Sequence, residues 1–198
     1  MAVNQSRAGK PFGGAIMLKN SPICMAPIEL EKVCQKKKFV VLVNRNDKEN
    51  SEYAAEVCEY VKQNNSNDIL YFSLKLESDE FKSIHPELTV EVNDKPALSI
   101  DELENIVKSK NNSSKMSMIV IDHIWLMATQ NTYTTKKEEI EEILSKIKRL
   151  VEQEKITVLA LVLLSKYAPN NYSVRKELES YGNFIRWADF IVKSSSEI

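Results

Sequence analysis

Met118-Ile119-Val120-Ile121-Asp122 is an uncharged apolar run that closes on a carboxylate. It follows polar Asn111-Asn112-Ser113-Ser114 and reads, from Met116 to Ile121, as the central strand of a sheet. A second such run, Thr157 to Leu164, has eight residues without a charge, which a strand buried on both faces explains. Two fully buried strands in one chain point to a parallel sheet covered by helices.

Outward from this pair, strand-like and helix-like stretches alternate. Phe39-Val40-Val41-Leu42-Val43 is the first strand, and Ser51 to Lys62 follows as a helix with Ala54, Ala55, Val57, Cys58 and Val61 on its apolar face. Asn64-Asn65-Ser66-Asn67 turns the chain into a buried strand, Ile69 to Leu74. A short helix over Glu77 to Lys82 and a short strand over Leu88 to Val92 come next. Ser99-Ile100-Asp101-Glu102 and Thr135-Lys136-Lys137-Glu138 are capping boxes, predicting helices to about Lys110 and Glu154. The chain then passes through Val174 to Tyr181 into a last strand, Phe190 to Lys193.

The 198 residues suffice for one α/β core, and 27 basic against 28 acidic residues give no global field toward nucleic acid or anionic membrane. Residues 1–27 hold three of the four glycines and no acid, which predicts a flexible arm ahead of a domain over 28–198. Within the arm, Gly9-Lys10-Pro11-Phe12-Gly13-Gly14 makes a poor phosphate loop, because no strand precedes it and Pro11 lacks a donor. Cys24, Cys34 and Cys58 form no zinc pattern with His85 and His123 and read as reduced thiols. With no signal-peptide run and no span of ~20 apolar residues, the expectation is a soluble cytoplasmic protein without membrane contact.

The elements from Lys38 to Val192 resemble the RecA-like ATPase domain of DnaB-type replicative helicases. Ile119-Val120-Ile121-Asp122-His123-Ile124-Trp125-Leu126-Met127 is similar to that family's Walker B strand, I-V-I-D-Y-L-Q-L-M. Val92-Asn93-Asp94-Lys95-Pro96-Ala97-Leu98-Ser99 leads into Ile100-Asp101-Glu102-Leu103 as the family's I-D-D-x-P-x-L-S/T-x-x-E-L segment does. Phe72-Ser73-Leu74 resembles the F-S-L-E-M strand end, and Ala188-Asp189-Phe190-Ile191-Val192 the A-D-V-I-L strand. The resemblance implies a P-loop NTPase fold: a mostly parallel sheet with helices on both faces.

The same resemblance implies that the catalytic parts are lost. Where the family has R-P-S-M-G-K-T-T, this chain has Arg45-Asn46-Asp47-Lys48-Glu49-Asn50-Ser51-Glu52. Glu49 stands for the loop glycine and Asn50 for the phosphate-binding lysine, and residues 15–181 contain no glycine. A phosphate cradle needs backbone N–H groups unobstructed by Cβ, and a carboxylate there repels a triphosphate. Lys75 falls on the catalytic glutamate, Leu163 on the glutamine at the next strand end, and Glu179 on an arginine of the DNA-facing loop. The sequence ends at Ile198, before the family's arginine-finger segment.

These departures favour a pseudoenzyme with no cofactor, acting by contact with a replication protein or helicase subunit, or with itself, in DNA replication or mobile-element biology. The alternative is an atypical ATPase binding ATP and Mg through Lys48, Asn50, Ser51 and Asp122, the last as metal ligand. A third reading, single-stranded DNA binding, rests on Lys75, Arg175, Lys176 and Gly182, although charge balance favours weak nucleic-acid binding or none. His123 is expected to pack at its strand end with one nitrogen satisfied, and Trp125 and Trp187 to serve packing rather than base stacking.

Overall fold

The computed structural model describes residues 23–24, 37–64, 68–167 and 173–193. Among these, seven parallel strands are joined in the order β1-β7-β2-β6-β5-β3-β4. They are β1 Ile23–Cys24, β2 Phe39–Asn44, β3 Asp68–Ser73, β4 Glu91–Asn93, β5 Met116–Asp122, β6 Thr157–Leu163 and β7 Phe190–Lys193. Every residue of β2 and β5 is buried, and so is all of β6 except Leu163. That two-sided burial is what the uncharged runs require.

Successive strand residues point to opposite faces and feed two apolar layers. Val40 and Leu42 of β2 pack with Tyr71, Val120 and Leu159 against α1 (Asp47–Asn64) and α2 (Ser78–Ile84). Val41 and Val43 pack on the other face with α3 (Ile100–Ser113), α4 (Lys136–Glu154), α5 (Val174–Tyr181) and α6 (Phe184–Trp187). Trp125 packs edge-on against Tyr181 and Phe184 at 5.0 and 5.3 Å, so it serves this second layer. Both capping boxes close as expected, with Ser99 accepting from Glu102 N and Thr135 from Glu138 N.

Three elements differ from the sequence reading. The first helix starts at Asp47 rather than Ser51, because Asn46 Oδ1 accepts from Lys48 N at 3.1 Å and Asp47 and Glu49 suit a helix N-terminus. The fourth strand is Glu91–Asn93 rather than Leu88 to Val92, since Leu70 to Phe72 offers pairing only to those residues. Within the segment read as an arm, Ile23–Cys24 adds a parallel strand to Ile191 and Val192 of β7. The glycine-rich stretch from Gly9 to Gly14 lies outside the described residues.

The chain leaves β2 in one direction, through α1 to β3, while β6 leads the other way to β7. Such a reversal opens a crevice at the carboxyl ends of the strands, where doubly wound sheets hold their ligands. Here that edge carries Asn44, Ser73, Asp122 and Leu163.

Candidate functional site

Only Arg45 and Asn46 separate the end of β2 from the start of α1. This turn is tied down from both sides. Asn44 Nδ2 donates to Glu49 Oε2 at 2.8 Å, Asn46 Nδ2 to Glu49 Oε1 at 3.0 Å, and Asn46 N to Asn44 Oδ1 at 3.0 Å. Glu49 thus closes the turn on itself, where a phosphate loop presents free N–H groups to an anion. Arg45 points elsewhere: Nη1 donates to the Ser165 carbonyl and Nη2 pairs with Glu177 at 2.9 Å. Glu177 is buried and also accepts from Ser165 N and the Tyr181 hydroxyl.

Beside the turn lies a cleft of about 670 Å³, walled by the start of α1, the segment after β3, the end of α2 and the end of β5. Its floor is a chain of four charges. Asp122, buried at the end of β5, meets His123 Nδ1 at 2.5 Å, and His123 Nε2 meets Asp47 at 2.9 Å. Asp47 in turn pairs with Lys75. A neutral imidazole donates through one nitrogen only, so two facing carboxylates call for the imidazolium. Burial works against that charge, but the hydrogen bond and charge of Asp122, with Asp47, outweigh it and raise the His123 pKa. His123 holds this position in the left-handed region, at φ 57.

Ser51, one turn into α1, shares its hydroxyl with His85 Nε2 at 2.7 Å. Burial lowers the His85 pKa, only partly offset by Glu52 and Asp122, so this ring is held neutral. Lys48 projects into solvent, its side chain 80% exposed and 3.5 Å from Glu52.

The cleft therefore gathers Lys48, Ser51, Lys75 and Asp122 from the sequence-derived set. Asn50 does not join them: it is buried and donates to the Val162 carbonyl at 3.1 Å, back toward the sheet. Among the described residues no group of three or more His, Cys, Asp or Glu side chains is arranged to hold a metal.

Arg175, Lys176 and Gly182 lie on α5 and its end, apart from the cleft. Arg175 is paired with Glu179 at 3.0 Å. The Gly182 N–H, read as a phosphate donor, instead caps the helix by donating to Leu178 O at 3.0 Å. The sequence reading missed His85 and the second partner of His123. Both depend on contacts between distant segments, and no local pattern carried them.

A parallel sheet in this order, with a helix starting directly after β2, is that of the RecA-like class of ATPase folds. A model of the DnaB-like helicase C terminal domain matches residues 75–178, more than half of the chain, and the chain belongs to that family. Two solved structures share the fold at 14% identity. One, described as an ATPase domain, gives a TM-score of 0.68 over 79% of this chain and 69% of that one. The other, a DnaB-like replicative helicase described with its interactions with primase, gives 0.69 over 80% of this chain and 47% of that one, so this chain spans about half its length. No curated protein matches the sequence.

Proposed function

We propose that this is a helicase-derived RecA-like domain that neither binds nor hydrolyses nucleoside triphosphates and works through protein contacts in DNA replication or mobile-element biology. The observation that carries the reading is the start of α1 at Asp47, in whose first turn Glu49 is held by Asn44 and Asn46 and puts a carboxylate where a phosphate loop needs open N–H groups. A cation is already supplied internally: the His123 imidazolium bridges Asp122 and Asp47, and Lys75 neutralises Asp47 further. Magnesium and ATP do not fit this donor set, because the Asp122 carboxylate faces His123 and the Ser51 hydroxyl faces His85. Lys75 also stands where the family carries the glutamate that activates water, and a lysine cannot take that role.

The similar helicase described with primase gives the kind of partner this reading expects, a replication protein or a helicase subunit. Isothermal titration of the chain with ATP and magnesium tests the first half; micromolar binding removes the premise. Glu49→Gly with Asn50→Lys, which deletes a repelling carboxylate and adds a cation, is expected to raise nucleotide affinity on this account. An unchanged affinity, together with binding by the unmodified chain, would favour the atypical ATPase. For the second half, affinity capture with purified replicative helicase and primase is the direct assay, and recovery of neither counts against it.

A further inference from the structure

Resting on that reading, we propose that the cleft left in place of the nucleotide site is a docking pocket for an acidic peptide segment of a partner protein, anchored by a large apolar side chain. Three large apolar residues among those described are conspicuously exposed, Ile84 at 52%, Leu126 at 45% and Tyr167 at 95%. One of them, Ile84, lines this concavity. It stands at the end of α2 beside Leu76, and Tyr167 directly follows the lining residue Lys166. Exposed apolar groups gathered at a polar-rimmed hollow are the signature of a contact site, and isolated ones are not. A volume of about 670 Å³ lies within the ~300–1,000 Å³ of pockets that enclose a compact ligand, enough for a few side chains and too little for a whole element of structure.

The charges choose the partner. Along the floor, Asp122, His123, Asp47 and Lys75 neutralise one another. On the rim, Lys48 is held only by a solvent-exposed contact of 3.5 Å to Glu52, a kind of pair that contributes little. Lys166 is exposed and makes no ion pair among the described residues. With Glu52 offsetting Lys48, the surplus charge at the mouth is the positive charge of Lys166, beside the apolar Leu76 and Ile84, which matches a segment with Asp or Glu next to one bulky apolar residue.

Selection of a displayed random-peptide library on the immobilised full chain tests this. Enriched sequences should carry acidic residues around a large apolar one. Their affinity should fall about tenfold or more in Lys166→Glu and in Ile84→Asp, and should weaken with added salt. Both positions are exposed, and circular dichroism confirms that the variants fold. Enrichment of basic or charge-free sequences, no enrichment, or equal binding by the two variants would overturn the proposal. A dimer of the chain that dissociates in Ile84→Asp would give the cleft to a second copy and overturn it too. None of these outcomes bears on nucleotide binding, so failure here leaves the interaction reading to stand or fall on capture through another face.

Discussion

His123 Nε2 lies 2.9 Å from Asp47 Oδ1, so the turn after β5 is stitched to the first residue of α1 by a histidine. The other ring nitrogen meets Asp122, and the three groups form one bridge across the edge of the sheet. In an anion-binding RecA-like site this space separates a metal-binding aspartate from a phosphate loop. Here His123 spans it, between Asp122 and Asp47.

That bridge makes stability depend on pH with a definite sign. The His123 pKa is raised above 6.5, so the folded chain holds this proton more tightly than the unfolded one. Its contribution is full below about pH 6.5 and is lost as pH rises through the raised value. His85 has the opposite shift and loses stability as pH falls. Since these are the only two histidines, His123→Asn, which tolerates the left-handed backbone, should leave only the trend of stability rising with pH. Urea midpoints across about pH 5.5 to 7.5, below the range where thiols and tyrosines titrate, measure it for both proteins; identical profiles would refute the bridge.

The Arg45–Glu177 pair should be a major tie between the turn after β2 and α5. Arg45→Leu leaves a buried carboxylate facing Ser165 N and Tyr181 alone, and a loss of about 3–5 kcal/mol is expected. Glu177→Gln, which keeps an acceptor but not the charge, should cost less. Chemical denaturation of each variant decides it, and a cost below about 1 kcal/mol for Arg45→Leu would mean that solvent satisfies Glu177.

Gly182 is expected to resist substitution for steric reasons. A Cβ there would stand 2.7 Å from Ile140 Cγ2, inside the fully buried layer under α4. Gly182→Ala should destabilise by about 1–3 kcal/mol, and the loss should be non-additive with Ile140→Ala, which vacates the contact. Thermal unfolding of the single and double variants gives the cycle.

Capping is a smaller and independent term. Ser99→Ala removes the side chain that accepts from Glu102 N and should cost about 0.5–2 kcal/mol. Ser99→Asp should restore most of it, as read from the same denaturation curves.

Much of the fold was legible because it rests on local patterns. The runs at β5 and β6 announced two-sided burial, and Ser99 and Thr135 marked their helix starts to the residue. The start of α1 was legible too, in Asn46 followed by Asp47 and Glu49, but the apolar face that defines the helix begins only at Ala54 and points to a start at Ser51. Of the short edge elements, the bounds of Glu91–Asn93 and the existence of Ile23–Cys24 were not legible, because both depend on pairing with Leu70–Phe72 and Ile191–Val192.

At the site, four residues singled out in the sequence, Asp122, Ser51, Lys48 and Lys75, line one cleft, but their partners were not legible. That Asp122 meets Asp47 through His123, that Ser51 meets His85, and that Asn50 turns inward to Val162 are contacts between distant parts of the chain. No spacing rule encodes them. His123 was expected to satisfy one nitrogen at its strand end, whereas it uses both, and that difference changes its charge.

Titration of the purified chain with ATP and magnesium by calorimetry, at neutral pH and low salt, reaches the central claim most directly. The account expects no saturable heat up to millimolar nucleotide, with Lys48, Ser51 and Asp122 left in their present contacts. A saturating isotherm in the micromolar range, abolished by Ser51→Ala or Asp122→Asn, would contradict it.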